Sequence, residues 1–441
     1  VKTGDVSVGS GAVLKGGTVV VEGTRSTTLD KASSLQAKNL TLGADRVVLG
    51  DTAVGTTSGQ AAPLQVGSAL LAQLAQVDRL TLRAFRGVEL QSGQNLTVQQ
   101  SLTLDTPELK QASGSTNSVT AGSLSLRNTS GAEGSAQGGT ATLNLTATGA
   151  GGQDGHIHFD DGVVVTQGSG QVNLTAAGSV VLSSRREVTT VTIEADPLNY
   201  ADAVGEISED GTQLATVKVT SRAVASGLQA DAAVRLSAQS VTTGHGAVAQ
   251  IKSGQGTLTI AQAAPAGAVS KASVGTGGQI ELAGASLRQQ GLVEVTSGAI
   301  KLEASTGDVT FSSGSRTLAD GSSWKVDGVK VPIAAGLIQA KAAQGGIDVQ
   351  AGSLLSASAP SGLAGAEAGD IRLLAPKGEV KVAGDIRLLS DANQRGGALR
   401  IDARTAPSLD GLVDRLNASA QVAATQDRKS TRLNSSHITI S

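Results

Sequence analysis

His156-Ile157-His158-Phe159-Asp160-Asp161 is the densest group of possible ligands and acid–base residues in the chain. His156, His158 and Asp160 follow the i, i+2 spacing that puts side chains on one face of a strand. Two imidazoles and a carboxylate on one face are a usable metal donor set. Ile157 and Phe159, however, are the pair expected to point inward. That puts both histidines on the solvent side, so the segment reads as a solvated strand face and no metal ligand is assigned. Asp160-Asp161 and Gly244-His245-Gly246 are a second candidate, because inverting glycoside hydrolysis needs an acid and a base flanking one bond. The two elements lie 84 residues apart, which sets them several coils from each other in the repeat described below. Gly275-Thr276-Gly277-Gly278 precedes a strand rather than opening a helix, so it reads as a turn and not a phosphate cradle. Asn95-Leu96-Thr97 and Asn144-Leu145-Thr146 have the spacing of glycosylation acceptors, but Asn and Thr stacked along strands account for them. No phosphate loop, zincin motif, Gly-x-Ser-x-Gly elbow or calcium nonapeptide series occurs in the sequence. No catalytic, cofactor-binding or metal-binding residue is assigned, no cofactor is expected, and the chain does not read as an enzyme.

Composition narrows the partners. The 441 residues carry 35 basic and 37 acidic side chains, well interspersed, for a formal charge of −2. With no basic stripe and an aromatic content of 1%, there is little to hold a phosphate backbone or stack on a base, so nucleic acid is not an expected partner. No stretch of about eighteen apolar residues exists, so no transmembrane helix is expected. The chain has no Cys, which excludes a disulfide framework and thiolate metal sites and suits a protein exported unfolded. It also has no Met, so Val1 is expected to lie inside a longer reading frame, and the lack of a leader carries no information.

The elements that must position these residues are repetitive. An apolar-x-apolar pair framed by Gly and small polar residues recurs more than twenty times. Leu40-Thr41-Leu42, Leu80-Thr81-Leu82, Leu143-Asn144-Leu145, Leu258-Thr259-Ile260 and Ile300-Lys301-Leu302 are examples. Each puts two apolar side chains on one strand face, and a strand so short buries nothing alone. Stacked in parallel, such strands make a continuous core, which predicts an all-β fold, a parallel β-helix solenoid. Three strands per turn give coils of roughly twenty residues. About nineteen such coils at ~4.8 Å each would make a stack near 90 Å.

The shaft is expected to span residues 1–405, with interruptions. Leu70, Leu71 and Leu74 share a helical face, which predicts a short helix near 67–76. Strand pairs run on to Ile193, a loop excursion is expected near 194–215, and the pairs resume at Val217. Trp324 to Val331 reads as a hairpin with an Asp-Gly turn, near 322–335. Leu409, Leu412, Val413 and Leu416 follow i, i+3, i+4, i+7 after Pro407 and Ser408, which predicts an amphipathic helix over 406–420 with an N-cap. Residues 428–441 are basic and glycine-free. They resemble translated adaptor or vector sequence, so the segment is set aside as a non-native tail.

Several ordered segments carry a family resemblance. They are the run from Ser34-Leu35-Gln36-Ala37 through Leu40-Thr41-Leu42-Gly43-Ala44-Asp45-Arg46-Val47-Val48-Leu49-Gly50-Asp51; Leu70-Leu71-Ala72-Gln73-Leu74 followed by Asp78-Arg79-Leu80-Thr81-Leu82-Arg83; Gly307-Asp308-Val309-Thr310 with Gly314-Ser315; Val326-Asp327-Gly328; and Ala406-Pro407-Ser408-Leu409. In this order the chain resembles the filamentous haemagglutinin family of bacterial exoproteins, over roughly residues 30–420. The resemblance implies a right-handed β-helix exported by two-partner secretion, with an outer-membrane transporter barrel as export partner. It implies the structural shaft of a secreted or surface-attached filamentous adhesin, outer-membrane associated, that meets host-cell or bacterial surface receptors or glycans and mediates attachment or aggregation. No small-molecule substrate is expected. The family's Asn-Pro-Asn secretion signature and the Arg-Gly-Asp of some adhesins do not occur here, so neither role falls on a residue of this chain. Two other readings share these features: the shaft of a contact-dependent toxin delivery protein and, more distantly, a polysaccharide-acting β-helix enzyme. Asp160-Asp161 and Gly244-His245-Gly246 faintly resemble elements of the pectin-degrading hydrolases, whose Asn-Thr-Asp and Arg-Ile-Lys partners are missing.

Overall fold

The computed structural model describes residues 4–53, 61–194, 216–264, 269–391, 394, 396–408, 410–416 and 437–440. Most of its strands join one 31-stranded sheet whose pairings are parallel, wound as a parallel β-helix with three strands per coil. The winding is clearest where Gln279–Gly284, Ser286–Gln290 and Leu292–Glu294 pair with Ala299–Ala304, Val309–Phe311 and Arg316–Leu318 of the next coil.

Register stacks like on like. On one face Ile280, Ile300, Ile338 and Ile371 are successive partners, followed by Leu399. Two residues along, Leu282, Leu302, Ala340, Leu373 and Ile401 do the same. All are at most 1% exposed, and each large one contributes about 1.5–3 kcal/mol by leaving water. The intervening residues, Lys301 among them, stay partly exposed, as the alternation requires. Stacked glycines make one set of corners: Gly314 and Gly352 have φ of +82° and +81°, and Gly314 N–H donates to the Gly352 carbonyl at 3.0 Å. An L side chain disfavours that conformation, so the repeat places Gly there.

The third face shows the length of one ladder. From Val19 the partners run through Leu40, Leu80, Leu102, Leu124, Ile157, Val180, Val241, Val293, Thr317 and Leu355 to Ile386, twelve rungs. At ~4.8 Å per rung this ladder is about 53 Å long. This corrects the nineteen coils and 90 Å expected from a uniform coil of twenty residues, because much of the chain lies in connections between strands.

Those connections are unevenly placed. Between Gln279 and Thr405, every connection longer than four residues leaves the corner after the third strand: 319–336, 357–369 and 388–397. An earlier long insertion leaves the same corner. There, after Ser179–Leu182, the chain forms an antiparallel ribbon, Arg186–Glu194 against Thr216–Ala223, and the coil resumes only at Ser226–Ala230. The ribbon overturns the reading of coil strands up to Ile193 and again from Val217. The excursion expected at 194–215 lies outside the described residues except for Glu194. Other long connections lie elsewhere: 50–63 leads into Leu64–Val66, 67–78 and 148–156 precede third-face strands, and 263–278 stands where its coil would have a third strand.

The interruption at 67–76 holds a helix, Ser68–Leu74, with Leu74 buried. Ser322–Val326 and Val329–Ile333 form the antiparallel hairpin. A helix over 410–416 follows the last coils; Ser408 Oγ accepts the Gly411 N–H at 3.4 Å and Leu412 is buried. Residues 409 and 417–420 of that expected helix lie outside the described residues. Of the 428–441 segment, His437–Ile440 is described and pairs with the last coil, Ile438 beside Leu399 and Ile440 beside Ile401. Among the described residues no helix is long and apolar enough to cross a membrane.

Candidate functional site

The hairpin carries an unusual surface. In its register Trp324 faces Val331 and Val326 faces Val329, so all four share one face, with Ile333 continuing it toward the base. Lys325 and Lys330 face each other on the opposite side. Asp327 and Gly328 have φ of +48° and +84°, the two left-handed positions that a tight two-residue hairpin turn demands. The base is fixed to the coil: Gly336 N–H donates to the Ala319 carbonyl at 2.7 Å and Gly321 N–H to the Ser358 carbonyl at 2.8 Å.

Beneath the hairpin lies an open cleft of about 760 Å³, lined by Trp324 and Ile333 on one side and by His245, Gly246, Thr276 and Gly277 on the other. Three segments that are distant in the chain therefore meet: the Gly-His-Gly element, the Gly-Thr-Gly-Gly turn and the hairpin. His245 Nδ1 accepts the Thr276 N–H at 3.1 Å, and Gly246 N–H donates to the Thr276 carbonyl at 2.9 Å. With Nδ1 accepting, the proton of the neutral ring sits on Nε2, which leaves a donor on an exposed side chain. The same bond keeps Nδ1 from serving as a base toward the Thr276 hydroxyl. One imidazole donor, backbone groups and an indole line the cleft, and none of its lining residues is a carboxylate.

The other expected residues lie elsewhere. His156 does not face solvent, which corrects the reading of both histidines as outward. It is 8% exposed, precedes the strand Ile157–Phe159, and its Nδ1 accepts the Ser179 N–H at 3.0 Å. Alternation begins only at Ile157, so His156 belongs to the corner. Burial pushes its imidazole below the ordinary histidine value, against the pull of the Asp154 carboxylate. His158 is partly exposed, with Nε2 3.4 Å from Asp154 Oδ2. Asp160 accepts the Ser125 hydroxyl at 2.6 Å, and Asp161 pairs with Arg185 at 3.3 Å. Among the described residues no group of three His, Asp or Glu side chains could hold a metal. Asp160 and Gly244 are nearer than expected. Their corners follow Phe159 and Thr243, two rungs apart through Leu182, or roughly 10 Å along the axis. The separation in sequence is large because the ribbon intervenes.

Asn144 and Asn173 stack as neighbouring amides at 2.9 Å, and Asn95 is in register with Ser118. A charged cluster that sequence pattern did not reveal surrounds Asp105, 2% exposed. It pairs with Arg83 at 3.1 Å and Arg127 at 3.3 Å and accepts the Thr129 N–H at 3.0 Å. Arg83 also reaches Glu22 at 3.1 Å, so the cluster ties neighbouring coils together. A second, backbone-lined groove of about 530 Å³ runs past Gly139, Gly170 and Gly256. In it Asp231 Oδ1 accepts the Gln255 N–H.

No family model, no curated protein and no solved structure matches this chain.

Proposed function

We propose that this chain is the shaft of a secreted or surface-attached filamentous adhesin, which holds binding surfaces away from the cell and mediates attachment or aggregation without catalysis. The observation that carries the reading is the combination of a long parallel stack with two antiparallel projections, the ribbon and the hairpin, leaving the same corner. A rod that carries weak contact surfaces gains avidity when many copies are presented together. The outer-membrane barrel belongs to this reading as the export partner, and surface receptors or glycans as the targets. Beads coated with the full chain are expected to bind host-cell monolayers or to aggregate, where beads coated with a globular protein of similar charge do neither. Equal behaviour of the two kinds of bead would end the reading.

A further inference from the structure

Among the described residues, seven large apolar side chains stand exposed, and four of them are on the hairpin: Trp324 at 64%, Val326 at 51%, Val329 at 66% and Val331 at 44%. Register puts the four on one face, so they form one contiguous apolar patch. The opposite face holds Lys325 directly across from Lys330, and among the described residues neither makes an ion pair. Like charges placed opposite each other destabilise a two-stranded ribbon, and an anionic partner relieves that cost. Asp327 at the turn leaves the hairpin with a net positive charge.

We propose that this hairpin docks on an anionic lipid surface, with its Trp–Val face in the interfacial layer and its two lysines held against the lipid headgroups. Two considerations select a bilayer over a protein. Five-residue strands are about 16 Å long and a pair is about 10 Å wide, so the face spans roughly 160 Å² in projection, small beside the ~800 Å² that each partner buries in a standard protein interface. A bilayer makes no demand for matching shape. The turn end of the face, Val326 and Val329, is farthest along the chain from the base at Ala319 and Gly336, while Trp324 and Ile333 also line the cleft, so a flat surface engages the face from its turn end. Trp is the residue type that settles at the bilayer interface, and Lys stems let the ammonium reach headgroups while the stem follows apolar surface.

Trp324 is the only Trp in the chain, so its emission reports on this hairpin alone. The experiment adds phosphatidylcholine vesicles, with and without phosphatidylserine, to the full chain. It follows Trp emission, quenching by phospholipids brominated in the acyl chains, and co-sedimentation. A blue shift, quenching and sedimentation are expected with the anionic vesicles. Lys325→Gln and Lys330→Gln should each lower partitioning about fivefold. Val329→Ser combined with Val331→Ser should remove the shift while the melting temperature stays unchanged, which separates lost docking from lost folding. Three results would overturn the proposal: unchanged emission with no sedimentation on anionic vesicles, a shift that needs no vesicle and grows with protein concentration, and a shift produced by soluble oligosaccharides while vesicles are silent. The first leaves attachment by another surface intact, the second indicates a second copy of the chain, and the third a glycan. Bead adhesion and vesicle docking are read separately, so either can fail without the other.

Discussion

Individual residues in this rod are governed by whether they face the shared core or the solvent. Leu302 is fully buried between Leu282 and Ala340, whereas its neighbour Lys301, between Glu281 and Gln339, is partly exposed. Leu302→Asp is expected to cost about 4 kcal/mol or more, by burying an unpaired carboxylate, and Lys301→Asp under about 1 kcal/mol. Denaturant titration of both variants checks the contrast. The i, i+2 spacing made this pair legible in the sequence. It did not make Gln289 legible. That side chain is fully buried in the ladder between Ile260 and Phe311. It accepts the Gly291 N–H at 2.9 Å and donates to the Arg316 carbonyl at 2.9 Å. Periodicity records which face a residue occupies, not which backbone groups inside that face lack a partner. Gln289→Leu should therefore destabilise by about 1–3 kcal/mol despite its better hydropathy, because a buried N–H is left unpaired. His156 shows the same limit. Its ring is held neutral by burial, so the unfolded chain binds a proton that the folded chain refuses. Stability is expected to fall as pH drops below about 6.5, the ordinary histidine value, and His156→Asn should flatten that part of the curve. Melting temperatures between pH 7.5 and 5 test the sign.

Elements divide into those whose pattern is local and those whose pattern is shared. The Asp-Gly hairpin was readable because turn chemistry is local. The ribbon was not, since Val191-Thr192-Ile193 has the apolar-x-apolar spacing of a coil strand; only its antiparallel pairing with Thr216–Ala223 distinguishes it. The cleft between His245 and Trp324 was equally hidden, because nothing in the sequence gives the number of rungs between two segments. Once the register is known, the hairpin can be treated as removable. Ala319 and Gly336 already meet at its base, so replacing residues 321–335 by a short glycine linker should leave the coil stack folded. Thermal unfolding should shift by no more than a few degrees; collapse of the transition would show that the hairpin supports the coils.

For the whole molecule, stability is a sum over neighbouring coils. Gln279 to Gly298 is one coil, since Gln279 is in register with Ala299. Excising it joins two positions that already align. The shortened chain is expected to keep a β-type circular dichroism spectrum and one unfolding transition, at a somewhat lower temperature. Loss of all structure would mean the coils are not interchangeable. The overall class was legible because every strand repeats one instruction. The length was not, because counting strand pairs ignores how much chain runs between them.

Placing the ribbon and the hairpin at the same corner gives the rod a front and a back. The ribbon and the hairpin leave that corner three rungs apart, through Val181, Thr242, Glu294 and Leu318, about 14 Å along the axis. They stand like teeth on a comb. A comb touches a surface with all its teeth or, rolled half a turn about its spine, with none. Contact is then decided by rotation about the long axis, and whatever fixes the roll of the rod at its root sets every projection at once.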